Sequence, residues 1–208
     1  MRTDLTVDWE VPPTPSGPAG RLERFMGPGK SRAESAVEIG GGVLCAGLLA
    51  AGLWSPAADG VRESWSTVQL VVVALAGLDL IGGILTNATN AAKRWYHRQA
   101  AHARRSRLVF VGAHLLHLAV VGTVVLEGDA AWVLGNAGLL LGGAAAVEFA
   151  PVHLKRPVAV GLWTAAVLVN LFWLTVPLAL MWFAPLFFLK LLVCHLVPEA
   201  PLRSRGDG

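Results

Sequence analysis

The chain has 208 residues, of which 54% are hydrophobic and 15% charged, and its formal net charge is +3. Soluble domains hold about a quarter charged residues, so this balance excludes an ordinary soluble domain. It also excludes a disordered chain and a disulfide scaffold, which need other compositions.

Residues 1–33 read as a disordered cytoplasmic tail, with Pro12, Pro13, Pro15, Pro18 and Pro28 among glycines and no apolar period. The first apolar run opens near Ala36, too late for a cleaved secretory leader, and reads as an uncleaved anchor. A spanning helix needs about 20 mostly apolar residues. The runs 36–54, 66–88, 108–126, 131–149 and 158–176 qualify. A last run, 178–197, is broken by Pro185 and carries Lys190, and Pro177 supplies the turn before it. The expectation is an all-α, polytopic integral membrane helix bundle. It has about six transmembrane helices over residues 34–199 and a short cytoplasmic tail over 200–208. Cys45 and Cys194 both fall in apolar runs and read as buried free thiols.

Orientation follows from the basic residues. Of the 17 Lys and Arg residues, all but Arg62 and Lys190 fall in the N-terminal tail, the loop after the second run, the loop after the fourth, or the C-terminal tail. Those segments share one side if the chain crosses six times, so both termini are expected in the cytoplasm, in the cell's cytoplasmic membrane. The loop 93–107 reads as an orientation signal and an anionic-lipid contact rather than a nucleic-acid site, because the nearest anion is the membrane.

Polar side chains at membrane depth are costly and usually face a cavity or a partner. The runs contain Glu38, Asp79, Asn87, Asn90, His114, His117, Asn136, Glu148, Asn170, Lys190 and His195. Counted from the basic side, only Asn136 and Asn170 fall in the outer half. The pattern predicts a polar pocket open toward the cytoplasm and closed by apolar residues outside. In the second run, Asp79, Gly83, Thr86, Asn90 and His97 share one helical face, with Asn87 close by. Asp79 is then a proton donor or a hydrogen-bond hub. His114 and His117, spaced i and i+3, face one cavity as hydrogen-bonded interior histidines, as a proton relay or substrate contact, or as metal ligands. A metal would need a third ligand such as His195 or Glu148. Glu148 is an interfacial partner for Lys155 or Arg156, or a second acid or base. Glu38 lies within reach of the interface. Trp173, Trp182 and Phe183 read as interfacial belt residues, and the deeper Phe187 and Phe188 as walls of an apolar pocket.

No Asp-rich run for Mg²⁺ on a diphosphate occurs, nor a P-loop, GxSxG or HExxH motif. The segment with Asp79, Gly82, Gly83, Asn87, Thr89 and Trp95-Tyr96-His97-Arg98, together with the ending Pro185–Glu199, resembles the small bacterial membrane-bound terpene cyclases of the drimentine type. Those in turn resemble the fungal meroterpenoid membrane cyclases. The resemblance covers the layout of residues 36–199. It implies a proton-initiated cyclisation of a farnesyl chain on an indole or diketopiperazine acceptor, with no metal and no cofactor. The implied partners are a hydrophobic prenylated small molecule and membrane lipid. Asp79 would be the acid, polarised by Asn87 or Asn90, and Glu148 or His114 would assist or take the final proton. Glu38, His117, Phe187, Phe188 and His195 would contact substrate. The alternatives are a haem- or metal-binding membrane redox protein using His114, His117 and His195, and a small transporter or scaffold.

Overall fold

A computed structural model of the protein describes residues 5–204. Arg2 and Arg205, counted above in the basic tails, lie outside the described residues. The chain is mostly helical. It opens with a three-residue strand β1 (Leu5–Val7) and a helix α1 (Gly17–Met26), followed by α2 (Arg32–Leu53), the short α3 (Asp59–Ser64) and α4 (Thr67–Ala88). Next come α5 (Asn90–Tyr96), α6 (Ala103–Ala113) and α7 (Leu115–Val120), the last running into a π turn at Val121–Val125. α8 (Ala130–Phe149) leads through a 3₁₀ turn at Val152–Leu154 into α9 (Lys155–Phe172). A 3₁₀ turn at Leu178–Leu180, α10 (Phe183–Phe188), a π segment at Leu189–His195 and β2 (Leu202–Ser204) complete it.

Six of these stretches are long and apolar enough to cross a membrane: Arg32–Leu53, Thr67–Ala88, Ala103–Val125, Ala130–Phe149, Val152–Phe172 and Leu178–His195. A 22-residue helix such as α4 is about 33 Å long at 1.5 Å per residue. Their starts are written in short polar sequences. Ser31 and Glu34 form a capping box on α2, Ser66 and Gln69 form one on α4, and Asp129 caps α8 through the Trp132 amide. Thr89 ends α4 in an extended conformation and its hydroxyl caps α5, so the two helices are offset rather than continuous. Beyond that break Asn90 bonds the Leu202 carbonyl and His97 that of His195, whereas the single-helix reading had put both on the face of Asp79 and Gly83.

Two helix starts and one expected break depart from the sequence reading for visible reasons. The third helix begins at Ala103 and so includes Arg104, Arg105 and Arg107, because Arg107 finds a buried counterion. The fifth begins near Val152, with Lys155 turned back onto the Glu148 carbonyl at 2.8 Å. Pro185 does not break the last helix. It occupies the first turn of α10, where its missing N–H removes no helical bond, and the irregularity lies further on, at Leu189–His195.

The stretch expected to be a disordered tail carries β1 and α1. Thr6 pairs with Arg203 in an antiparallel two-stranded ladder. Tyr96 Oη donates to the Phe25 carbonyl (3.0 Å) and Arg94 to that of Gly29 (3.1 Å), which ties this segment to α5. Gly27, at φ 97°, lies so close to the backbone of Ala91 and Ala92 that a Cβ there would come within 2.5 Å of the Ala92 nitrogen.

α4 is the central element, packed on one side by α2 and on the other by the π segment Leu189–His195. α8 packs on α9, and α10 on α9 and α4. Trp132, Phe183, Phe187, Phe188, Leu80 and Leu140 fill the interior. The outside is equally apolar: Val37, Ile39, Val43, Leu44 and Leu48 on α2, and Leu75, Leu78, Leu116 and Leu134 elsewhere, are exposed. Cys45 also faces outward from α2 and Cys194 is half-buried, so the buried-thiol reading fails for Cys45. The basic side chains of α5, α6 and α9 gather at one end of the bundle, called the basic end below, through their contacts with Glu148, Glu199, Gly29 and Val197.

Candidate functional site

Near the middle of α4, Asp79 meets one side chain from each of two other elements. Lys190, the second residue of the π segment, donates to Asp79 Oδ2 at 2.5 Å and lies 3.3 Å from the Asp79 carbonyl. His117 of α7 places Nε2 at 2.9 Å from the same Oδ2. Lys190 lies three residues after Phe187 and seven after Phe183, both fully buried, so its helix face points inward. Its ammonium needs a counterion there, and Asp79 supplies it. Gly83, one turn beyond Asp79, makes the approach feasible: a Cβ on it would come within 2.2 Å of Lys190 Cε and 2.7 Å of Nζ.

The three groups differ in access. The Lys190 side chain is 2% exposed, that of His117 26% and that of Asp79 43%. The carboxylate therefore looks outward while its lysine is sealed behind it. In front of Asp79 and His117 runs a groove of about 400 Å³ between α4 and the third helix, walled by Val72, Leu75, Ala76, Leu116, Val120 and Val121. It extends from Asp79 along the bundle's flank away from the basic end. The expected pocket, open toward the basic side and closed at the other, is thus replaced by a lateral apolar groove with a polar head.

His114 stacks on His117, ring centroids 4.9 Å apart and planes 10° from parallel. Its Nδ1–H donates to the Phe110 carbonyl at 2.7 Å, because a carbonyl only accepts, which leaves Nε2 as the acceptor nitrogen of the neutral ring. Ligand atoms of Asp79, His114 and His117 lie within 4.8 Å of one another. His195 does not join them. Its ring is wedged between Tyr96 and Phe110, at 4.8 and 4.2 Å, with Nδ1 on the Asn87 amide oxygen at 3.3 Å. Phe110 separates it from His114.

The other sequence candidates sit elsewhere. Glu148 is buried at the basic end, where Arg107 holds it with Nε and Nη2, Arg104 stands 3.4 Å away and Lys155 3.8 Å away. Lys155 was an expected partner, whereas Arg156 pairs with Glu199 instead (3.1 Å). Glu38 accepts from Thr86 Oγ1 at 2.5 Å and pairs with Lys30. Asn90 donates to the Leu202 carbonyl at 2.8 Å and anchors β2. Phe187 and Phe188 are packed in the core, Phe187 stacked on Phe183 at 5.4 Å, and are not among the residues that wall the groove at Asp79. Asn136 and Asn170 bond each other reciprocally, at 3.2 and 2.8 Å, and each donates to a backbone carbonyl four residues earlier.

Lys190 is the site residue to which the sequence reading gave no role. The signal was present: a lysine inside an apolar run requires a counterion at its own depth, and Asp79 matches. Lys93 and His97 were missed as well. Lys93 Nζ donates to the carbonyls of Cys194 (2.6 Å) and Val197 (2.8 Å), and His97 Nε2 donates to that of His195 (2.9 Å). Burial lowers the His97 pKa to about 3, and the neighbouring Arg107 and Lys93 charges add to that, so its ring is neutral. Burial also pulls Lys93 below the usual lysine range, against the opposing pull of Glu199. Compared with known proteins, the chain matched no family model, no curated protein and no solved structure.

Proposed function

We propose that this chain crosses the cytoplasmic membrane six times, with its basic end in the cytoplasm, and is an enzyme that passes a proton to and from an apolar chain held in the lateral groove. The six long apolar helices, the apolar exterior and the one-sided basic residues support the spanning topology. The topology is tested on Cys45, which faces outward at helix depth. A water-soluble maleimide should leave it unlabelled in sealed vesicles, while a lipid-soluble one labels it. Ready labelling by the first reagent would refute the topology.

The observation that carries the catalytic reading is the Asp79–His117 pair at the head of an apolar groove open along the bundle's flank. A lipid-soluble substrate enters such a groove from the bilayer without crossing water. In its specific form the reaction is the metal-independent cyclisation of a prenyl chain. Asp79 is paired with Lys190, so the proton donor is His117, oriented by Asp79, rather than Asp79 itself. An imidazolium is a weak acid, and an epoxide oxygen suits it better than a bare alkene. Protonation opens the epoxide, internal alkenes capture the cation, and loss of a proton to the now neutral His117 gives an isomer of the substrate. Asp79 supplies the negative charge facing the cation, and the apolar walls exclude water.

The test is an assay in native membranes with linear farnesylated acceptors and their terminal epoxides, read by mass and NMR, with a chelator present. A cyclised product of unchanged mass, lost in Asp79→Asn and in His117→Gln, is expected. Turnover that survives both substitutions refutes the assignment, and absence of product from every substrate refutes the cyclase. A second reading takes Asp79, His114 and His117 as a two-histidine, one-carboxylate metal site, favoured by the 4.8 Å clustering of their ligand atoms. It requires Lys190 to leave Asp79. Stoichiometric metal in the purified protein, lost in His114→Ala, would establish it.

A further inference from the structure

We propose that the cavity around Glu148 at the basic end binds a phosphate group, carried by an anionic lipid or by a soluble phosphate. The cavity holds about 610 Å³ and lies among α6, the end of α8 and the start of α9, within the size range of small-molecule sites. Its walls carry Arg98, Arg104, Arg107 and Lys155 against a single carboxylate, Glu148. Glu148 neutralises one of those four cations and is itself buried, so it cannot turn outward to satisfy the others.

The donors left over are specific. Arg107 spends Nε and one Nη2 hydrogen on Glu148 and one Nη1 hydrogen on the Tyr96 carbonyl (2.9 Å), which leaves two N–H groups. Lys155 donates to the Glu148 carbonyl (2.8 Å) and keeps further hydrogens. Arg104 reaches Glu148 only through Nε at 3.4 Å, with its guanidinium 5.4 Å from the Phe149 ring and its side chain 61% exposed. Its two Nη groups have no partner among the described residues. One helix, α6, also begins at this cavity after His102 without a side-chain cap; its Ala103 amide is held by the Ala100 carbonyl, and the amides of Arg104 and Arg105 follow it. Guanidinium and ammonium donors, with four cations around one carboxylate, match the oxygens of a phosphate. Glu148 fixes Arg107 and Lys155 in place, and Arg104 closes on the ligand from the open side.

The lipid arm rests on the membrane topology proposed above, and the soluble arm does not. Purified protein in uncharged maltoside detergent would be melted with added phosphatidylglycerol, with an uncharged glycolipid, and with inorganic phosphate. Stabilisation by phosphatidylglycerol over the glycolipid identifies a lipid headgroup. Stabilisation by inorganic phosphate alone identifies a soluble ligand. Arg104→Gln should weaken the effect about fivefold, the worth of one basic side chain at an anionic surface. Arg32→Gln, exposed at the start of α2 and away from the cavity, should leave it unchanged. Stabilisation by neither probe overturns the proposal. Equal losses in the two variants also overturn it, since that result would mean diffuse surface charge rather than a built site.

Discussion

Gly83→Ala puts the geometry around Lys190 to the test with one methyl group. The new Cβ would sit 2.2 Å from Lys190 Cε, 2.7 Å from Nζ and 2.9 Å from Cδ. A lysine on a surface would swing aside, but Lys190 is sealed in the core and pinned to Asp79. Relief of the clash therefore breaks the ion pair. Removing a partner from a buried pair costs about 3–5 kcal/mol, and the lower end applies because Asp79 is half exposed and keeps His117. Replacing a helical glycine returns about 1 kcal/mol of backbone entropy. The net expectation is a loss of about 2 kcal/mol. Gly82→Ala is the control: a Cβ there meets nothing within 4 Å, so only the entropic gain remains. The assay is unfolding in mixed micelles followed by tryptophan fluorescence, on both variants and in a Lys190→Ala background. In that background the cost of Gly83→Ala should vanish, a coupling that a double-mutant cycle isolates. Equal stability of the two glycine variants, or a cost for Gly83→Ala that persists without Lys190, would refute this account of the pair.

Glu148→Gln leaves Arg107 and Lys155 without their shared anion and should destabilise the fold by about 3–5 kcal/mol; a change under about 1 kcal/mol would mean that water already screens the cluster. Asn136→Leu leaves the Asn170 amide oxygen without its donor and should cost about 0.6–1.7 kcal/mol, while Asn136→Leu with Asn170→Leu should recover most of it; melting curves of the two variants beside the parent protein decide. His97 gives a pH dependence of definite sign. Unfolded, it takes a proton below its ordinary 6.5, and folded only near 3, so the unfolded chain binds more protons between those values. Its contribution is full above pH 6.5 and falls as pH drops toward 3. His97→Gln keeps a donor for the His195 carbonyl and should flatten that slope, and an unaltered slope would exclude His97 as its source.

Hydropathy and length made the six helices legible, because an apolar run of some 20 residues has few other uses. The Asn136 and Asn170 pairing was within reach too, since each amide must find a partner at its own depth. The grouping of the site was harder. Asp79, His117 and Lys190 are distant in sequence, and which helices touch is not encoded in any single run. Glu148 shows why depth alone misleads: it shares its end of the bundle with several other polar residues, and Arg107 claimed it because the third helix starts earlier than hydropathy indicates. Phe187 and Phe188 looked like pocket walls by position, yet a residue beside a cavity and one filling the core have the same period. The N-terminal segment was misread because its order comes from partners on α5 and β2, not from any apolar stripe of its own.

The position of Lys190 is set from the basic end. A π turn is a strained departure from the α-helix and persists where something holds it. At Leu189–His195 the holders come from α5 and its C-terminal cap: Lys93 takes the Cys194 carbonyl and, just past the segment, that of Val197, and His97 takes that of His195. α5 can reach them only because Thr89 breaks its alignment with α4. The break at Thr89 thus aims Lys93 and His97 at the end of the last helix, which fixes the wide turn, which in turn aims Lys190 at Asp79. Lys93→Met removes two carbonyl bonds without touching the groove. If the chain of contacts is as described, the last turn tightens toward α-helix and Lys190 rotates off Asp79. The coupling between Gly83→Ala and Lys190→Ala should then fall to under about 0.5 kcal/mol, the level of independent sites. A coupling unchanged by Lys93→Met would mean that Asp79 alone positions Lys190, and that the caps on the final turn serve only to close the helix.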